Sequence, residues 1–594
     1  MFPRNHRTPS ATVALAFFAL FVLGPKAAQA ERPPSVALLP DQTSVFISVI
    51  DAPDLAERFK NTALGKMGQD PQLKPLVDHF YGAAARAVDS VQERIGLSLD
   101  EFLAIPQGEL TFAVVTPEEQ PPEMVVLLDA GDQIRSVREL LKRGTEALER
   151  SGADRSEETI QGTKVVFYKA VGPRRRTAAY FEKDNTVVIG SNLEVLRELL
   201  SVWNGEERPI LGKNTNFAAI MRRCGGGKDH PPQVMAYVDP IGLMRSIGQQ
   251  QAGVQVTVSL LPVLGLDGLR AVGGTLTLAE APFDSLVQAH VLMDYPRDGI
   301  LEMIALKSGD FEPEPWVPPD VSSYTTVHWD LQSTFDTLRT LIDGFRGTGA
   351  VDGFLKRRIE EQIGLNFEKD LLPLLSGRMT HLNWIERPVS IRSQSTLIAF
   401  GLEDTEAGGK VVEKILSDNE RSLSRRFFGG KSYLRFGPPG DTNEDDGPRR
   451  QRPCLGILDE SLVLTDRESV YREAISTLAG TSESLGGTPD FQAVAAKVFR
   501  KSGSTKPAMI GFRQPKEGLR LLYELAVGER TREGLRRRAE NNAFLGTVNA
   551  ALEANPLPPY AVIEQYLAPA GVMVVDDQTG IHYIAFGLQS DTEE

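Results

Sequence analysis

Two arginine clusters are the polar feature of this sequence best suited to chemistry. Gly-Pro-Arg-Arg occurs at residues 172–175 and again at 447–450; Arg176 and Arg452 extend the two clusters. A guanidinium presents a planar fork of donors that matches carboxylate, sulfate or phosphate. Arg174, Arg175, Arg176, Arg449, Arg450 and Arg452 are therefore the candidate anion-binding residues, suited to a long anionic polymer or an acidic partner surface. The competing reading is a pair of solubilising turns, the second neutralised by its own acidic neighbours.

Signatures of catalysis are missing. The histidines after residue 30 are His79, His230, His290, His328, His381 and His582. No two have the i, i+4 spacing of a helical metal pair, and HExxH and GxSxG do not occur. Cys224 and Cys454 are too few and too far apart for a zinc knuckle, and they read as buried free thiols. "CGGGKDH" at 224–230 lacks the spacing that wraps phosphates. "DTNEDDG" at 441–447 starts like a calcium loop, but its glycine falls one position late and position twelve is Arg452. His328, on an expected strand, reads as structural. No catalytic residue, metal site or cofactor is assigned, and a non-enzymatic protein is favoured.

The elements that would position these residues repeat along the chain. "IGLSLDEFLAIPQGELT" (95–111) returns as "IGLNFEKDLLPLLSGRMT" (363–380). Before each lies a strand-like run ending at Asp51 or Asp330, both suited to cap a following helix. After each, "EMVVLLDAG" matches "STLIAFGLE", and "FEKDNTVVIG" matches "ILDESLVLTD". Asp184-Asn185 and Asp459-Glu460 sit between apolar runs and read as hairpin turns. Ile134, Val137, Leu140, Leu141 and Leu148 fall on one helical face. Gly108 and Gly377 read as helix boundaries. The expected class is α+β, a tandem duplication. Each copy is a mostly antiparallel twisted sheet of about eight strands, covered on one face by about five helices. Residues 31–308 form the first repeat, 309–319 a proline-rich linker and 320–594 the second repeat. An extra charged helical insertion spans about 517–554 of the second copy.

Residues 1–30 read as a secretory signal peptide. Arg4 and Arg7 precede an apolar run from 11 to 23, and the segment ends Ala28-Gln29-Ala30. Cleavage there leaves Glu31 first. It removes Arg4, Arg7 and Lys26 and no acid, so the net charge moves from −14 to −17. That balance argues against a nucleic-acid partner. No later apolar run has spanning length, so no transmembrane helix is expected after cleavage. The expected location is periplasmic or extracellular.

The motifs "LLPDQTSVFISVID" (38–51), "RF…TALGKM…DPQLKPL" (58–76) and 95–111 resemble a domain-of-unknown-function family of secreted bacterial proteins. The likeness is clearest over the first third of the mature chain. It implies export and no established activity.

These readings point first to a binding or scaffold protein of the cell envelope, with a protein or glycan partner. A first alternative is a carrier of an apolar ligand such as a lipid. The segment 64–91, rich in apolar and small residues, would supply helix surface for it, since a curved sheet under amphipathic helices can enclose a groove. A second alternative is a hydrolase with a dispersed acidic site, which would need paired acids in a cleft.

Overall fold

The computed structural model describes residues 32–79, 81–82, 101, 103–118, 120–169, 177–225, 231–249, 251–361, 364–387, 389–390, 392–437, 452–502, 505–540 and 542–590. Ten strands come from the first half: β1 (Thr43–Val49), β2 (Leu110–Val115), β3 (Glu123–Asp129), β4 (Asp154–Ile160), β5 (Thr163–Lys169), β6 (Thr177–Lys183), β7 (Thr186–Gly190), β8 (Val234–Val238), β9 (Leu269–Glu280) and β10 (Phe283–Met293). Ten come from the second: β11 (Ser323–His328), β12 (Leu375–Ile385), β13 (Gln394–Leu402), β14 (Leu423–Phe428), β15 (Lys431–Phe436), β16 (Cys454–Leu458), β17 (Ser461–Thr465), β18 (Met509–Arg513), β19 (Ala570–Asp577) and β20 (Gly580–Leu588).

All 20 belong to one antiparallel sheet. The first half pairs in the order β4-β5-β6-β7-β3-β2-β1-β8-β9-β10. The second pairs in the order β14-β15-β16-β17-β13-β12-β11-β18-β19-β20. The two orders are the same, element for element. The halves join where β10 pairs β20, a ladder running from Phe283 opposite Leu588 to Leu292 opposite Gly580. Gly580 holds a positive φ of 130° there, and a Cβ on it would lie 1.9 Å from the Val291 carbonyl oxygen.

The ten strands per half among the described residues exceed the expected number of about eight. The edge strands β4 and β14 are the ones the pattern hid. β4 (DRSEETI) is exposed along most of its length, so it has no apolar alternation to reveal it. The helices also lie on both faces of the sheet, not one. Successive strand residues point to opposite faces. Leu127 packs with the Leu193–Trp203 and Thr215–Cys224 helices, whereas Leu128 packs under the Ile134–Arg150 helix. Tyr433 and Leu434 divide in the same way, between the Glu468–Leu478 and Thr405–Asp418 helices. Gly377, expected at a helix boundary, lies inside β12 with a φ of +87°, where the register shifts.

Local chemistry explains most starts and turns. Asp51 accepts from the Asp54 amide and Asp330 from the Ser333 amide, each at 3.0 Å, capping the helices that follow β1 and β11. Asp184 and Asn185 both take positive φ in the β6–β7 turn, as a tight hairpin requires. In β1, Phe46 is 0% exposed and its neighbour Ile47 47%.

Two buried ion pairs sit at matching places. Near the start of β2, Glu109 meets Arg32 at 2.7 Å beside Ser48 and Thr111. Near the start of β12, Arg378 meets Glu314 at 3.0 Å beside Thr326 and Thr380. The charges are reversed between them. Glu314 comes from the proline-rich stretch, whose Trp316 and Val317 are wholly buried in the second-half core. Cys224 and Cys454 are free thiols buried in different cores. Among the described residues no helix is long and apolar enough to cross a membrane.

Candidate functional site

A large apolar cavity lies where helices of the two halves meet. Its floor is built just after β1. The Ala52–Asn61 helix contributes Ala56, Phe59 and Lys60. Thr62 then caps the short Ala63–Gln69 helix, its Oγ1 accepting from the Gly65 amide at 3.1 Å. Leu64, Met67, Leu73, Leu76 and Val77 continue the wall. The first amide of the short helix, at Ala63, donates to Asp284 Oδ1 at 2.6 Å, which ties the helix to β10.

The roof comes from the helices between β18 and β19 in the second half. The Pro515–Val527 helix supplies Leu519, Leu522, Tyr523 and Ala526. The Ala543–Ala554 helix supplies Val548 and Leu552, and Ile563 closes the back. The Tyr523 hydroxyl donates to the Pro558 carbonyl at 2.9 Å. Arg520 pairs with Glu564 at 2.9 Å and stacks over Tyr560, which fixes the roof helix. Tyr566 donates to Asp70 Oδ2 at 2.8 Å and so links roof to floor.

The volume of this open-mouthed cavity is about 830 Å3. That lies in the range of small-molecule sites, about 300–1,000 Å3. Ala56, Leu73 and Ile563 are buried at its depth, whereas Leu64 and Leu522 are 66% and 60% exposed at its rim. Large apolar side chains left in water at a cavity mouth mark a binding surface more often than a core defect. Leu64 to Val77 of this wall belong to the segment 64–91, of which residues 80 and 83–91 lie outside the described residues. The roof was not expected, because its helices read as charged; the signal was Leu519, Leu522 and Ala526 at helical spacing among those charges.

A second groove of about 370 Å3 lies over the seam of the sheet. It is lined by Asp284, Val287, Arg513, Tyr583 and Ala585, and again by Leu64 and Met67. Burial pushes the Asp284 carboxyl above its ordinary value.

A third pocket, about 300 Å3, is polar and holds Glu123, Glu198, Arg197 and Arg208. Burial raises both Glu123 and Glu198. A general acid and base need environments that push two carboxyls apart. These two move in the same direction.

Of the candidate anion-binding residues, Arg174, Arg175, Arg176, Arg449 and Arg450 lie outside the described residues, as do 226–230 and 441–447. Arg452 is described; it is half-buried at the entry to β16, its carbonyl accepting from the Cys454 thiol. His328 Nε2 bonds the Asp310 carbonyl at 2.8 Å and its ring packs on Phe311. No family model, no curated protein and no solved structure matches the chain.

Proposed function

We propose that the protein is a non-enzymatic carrier of an apolar ligand. The observation that carries this is the cavity of about 830 Å3 between the Ala63–Gln69 and Pro515–Val527 helices. An apolar cavity of this size, with exposed leucines at its rim, gains free energy by admitting apolar surface from water. The chain is built as a tandem duplication, a reading supported by the shared strand order and the charge-reversed buried pairs. Both halves place helices between the equivalent strands, Pro240–Gly248 and Ala252–Leu260 in the first and the longer set from Pro515 to Glu564 in the second, and the longer set supplies the roof of the pocket. The first thirty residues direct export, as their charged, apolar and small-residue order implies.

Titration of the protein with hexadecanol, followed by native mass spectrometry, tests the carrier reading. Saturable binding is expected. Leu522→Trp, which drives a larger side chain into the mouth, weakens it about tenfold. Absence of saturable binding in the wild-type protein rejects the reading.

A further inference from the structure

We propose that the ligand is an acyl chain with an anionic head. The head lies in the groove over the β10–β20 seam, against Arg513, and the chain enters the larger cavity. This rests on the carrier reading. The two spaces meet at Leu64 and Met67, which line both. Their chemistry differs. The larger is walled almost wholly by apolar side chains, whereas the groove gathers Arg513, Asp284, Ser285 and Tyr583. One molecule with an apolar tail and a polar end matches both, and a wholly apolar molecule matches only one.

The sign of the head follows from the charges. Arg513 is exposed at the end of β18, and among the described residues it has no ion-pair partner. The charges of the roof helix are answered: Arg520 by Glu564, Glu517 by Arg387 and Lys516 by Asp490. Lys60, on the wall of the larger cavity, is likewise unpaired among the described residues. Among the described residues the one acid lining the groove is Asp284. Its Oδ1 is occupied by the Ala63 amide, and burial favours its neutral form, so it opposes an anion weakly. A guanidinium facing a carboxylate or phosphate makes charge-assisted hydrogen bonds that a hydroxyl head cannot match. Carboxylate and phosphate heads share this chemistry.

The test is displacement of a bound fluorescent acyl probe from the full chain by hexadecanoate, hexadecyl phosphate and hexadecanol. At least one anion should compete about tenfold better than the alcohol, and added salt should erase that margin. Arg513→Gln should remove the margin and leave hexadecanol unchanged; its exposed side chain makes the variant safe to fold, and circular dichroism checks it. The relative strength of the two anions identifies the head group. Equal competition by all three in the wild-type protein overturns the proposal while leaving the carrier reading intact, as does a margin that survives Arg513→Gln. Failure of the probe and of all three competitors to bind overturns both.

Discussion

A charge buried in a sheet must be answered on the spot, and two such pairs at matching places in the halves have opposite polarity. Glu109 is met by Arg32, and Arg378 by Glu314. Removing one partner leaves the other uncompensated, at a cost of about 3–5 kcal/mol. Arg378→Ala should therefore lower unfolding free energy in urea by roughly that amount; a loss within the error of the wild-type curve would contradict the account. His290 and His582 face each other across the seam and are both buried. Burial lowers both, His582 to about 4, with Arg223 adding repulsion and Asp577 opposing it. Each is neutral in the fold, and the unfolded chain takes up protons first as pH falls. Stability is thus intact above about pH 6.5 and declines between there and about pH 4. His582→Gln should shrink that decline by on the order of 2 kcal/mol, read from urea curves at pH 7 and 4.5; an unchanged slope would contradict it. None of this pairing was legible in the sequence. Partners such as Arg378 and Glu314, or the two histidines, lie far apart in the chain and meet only when the strands align.

Elements whose causes are local were read correctly. The caps at Asp51 and Asp330 and the apolar face from Ile134 to Leu148 need only their own neighbours. The same holds for the β6–β7 turn. Asn185 sits there at φ 55°, a conformation that an alanine adopts at a cost of about 1 kcal/mol. Asn185→Ala should lower stability by that amount, whereas Asn185→Gly should be neutral or better; equal losses from both would contradict the turn assignment. Where an element is defined by its partner, the pattern was silent. β4 and β14 close the two ends of the sheet, and an edge strand in water has little apolar residue alternation to show. The cavity divides in the same manner. The stretch of its floor from Leu64 to Val77 was legible as apolar helix surface, while its roof was hidden among the charged helices between β18 and β19.

At the scale of the whole molecule, one sheet runs unbroken through both halves. Leu286 of β10 belongs to the second-half core, and Arg297 pairs with Asp576 across the seam. Separated halves would expose the β10 and β20 backbone ladders to water. Fragments 31–308 and 309–594, produced together, should therefore purify as a one-to-one complex; two independent monomers would contradict the continuous sheet. The same joint places the roof of the second half over the floor of the first, so the cavity exists only in the joined molecule. The most direct test of the carrier reading is native mass spectrometry of the protein gently extracted from its own source. A discrete added mass, removed by organic extraction and missing from Leu522→Trp, is the predicted result. A bare wild-type protein that also takes up no acyl probe would contradict it.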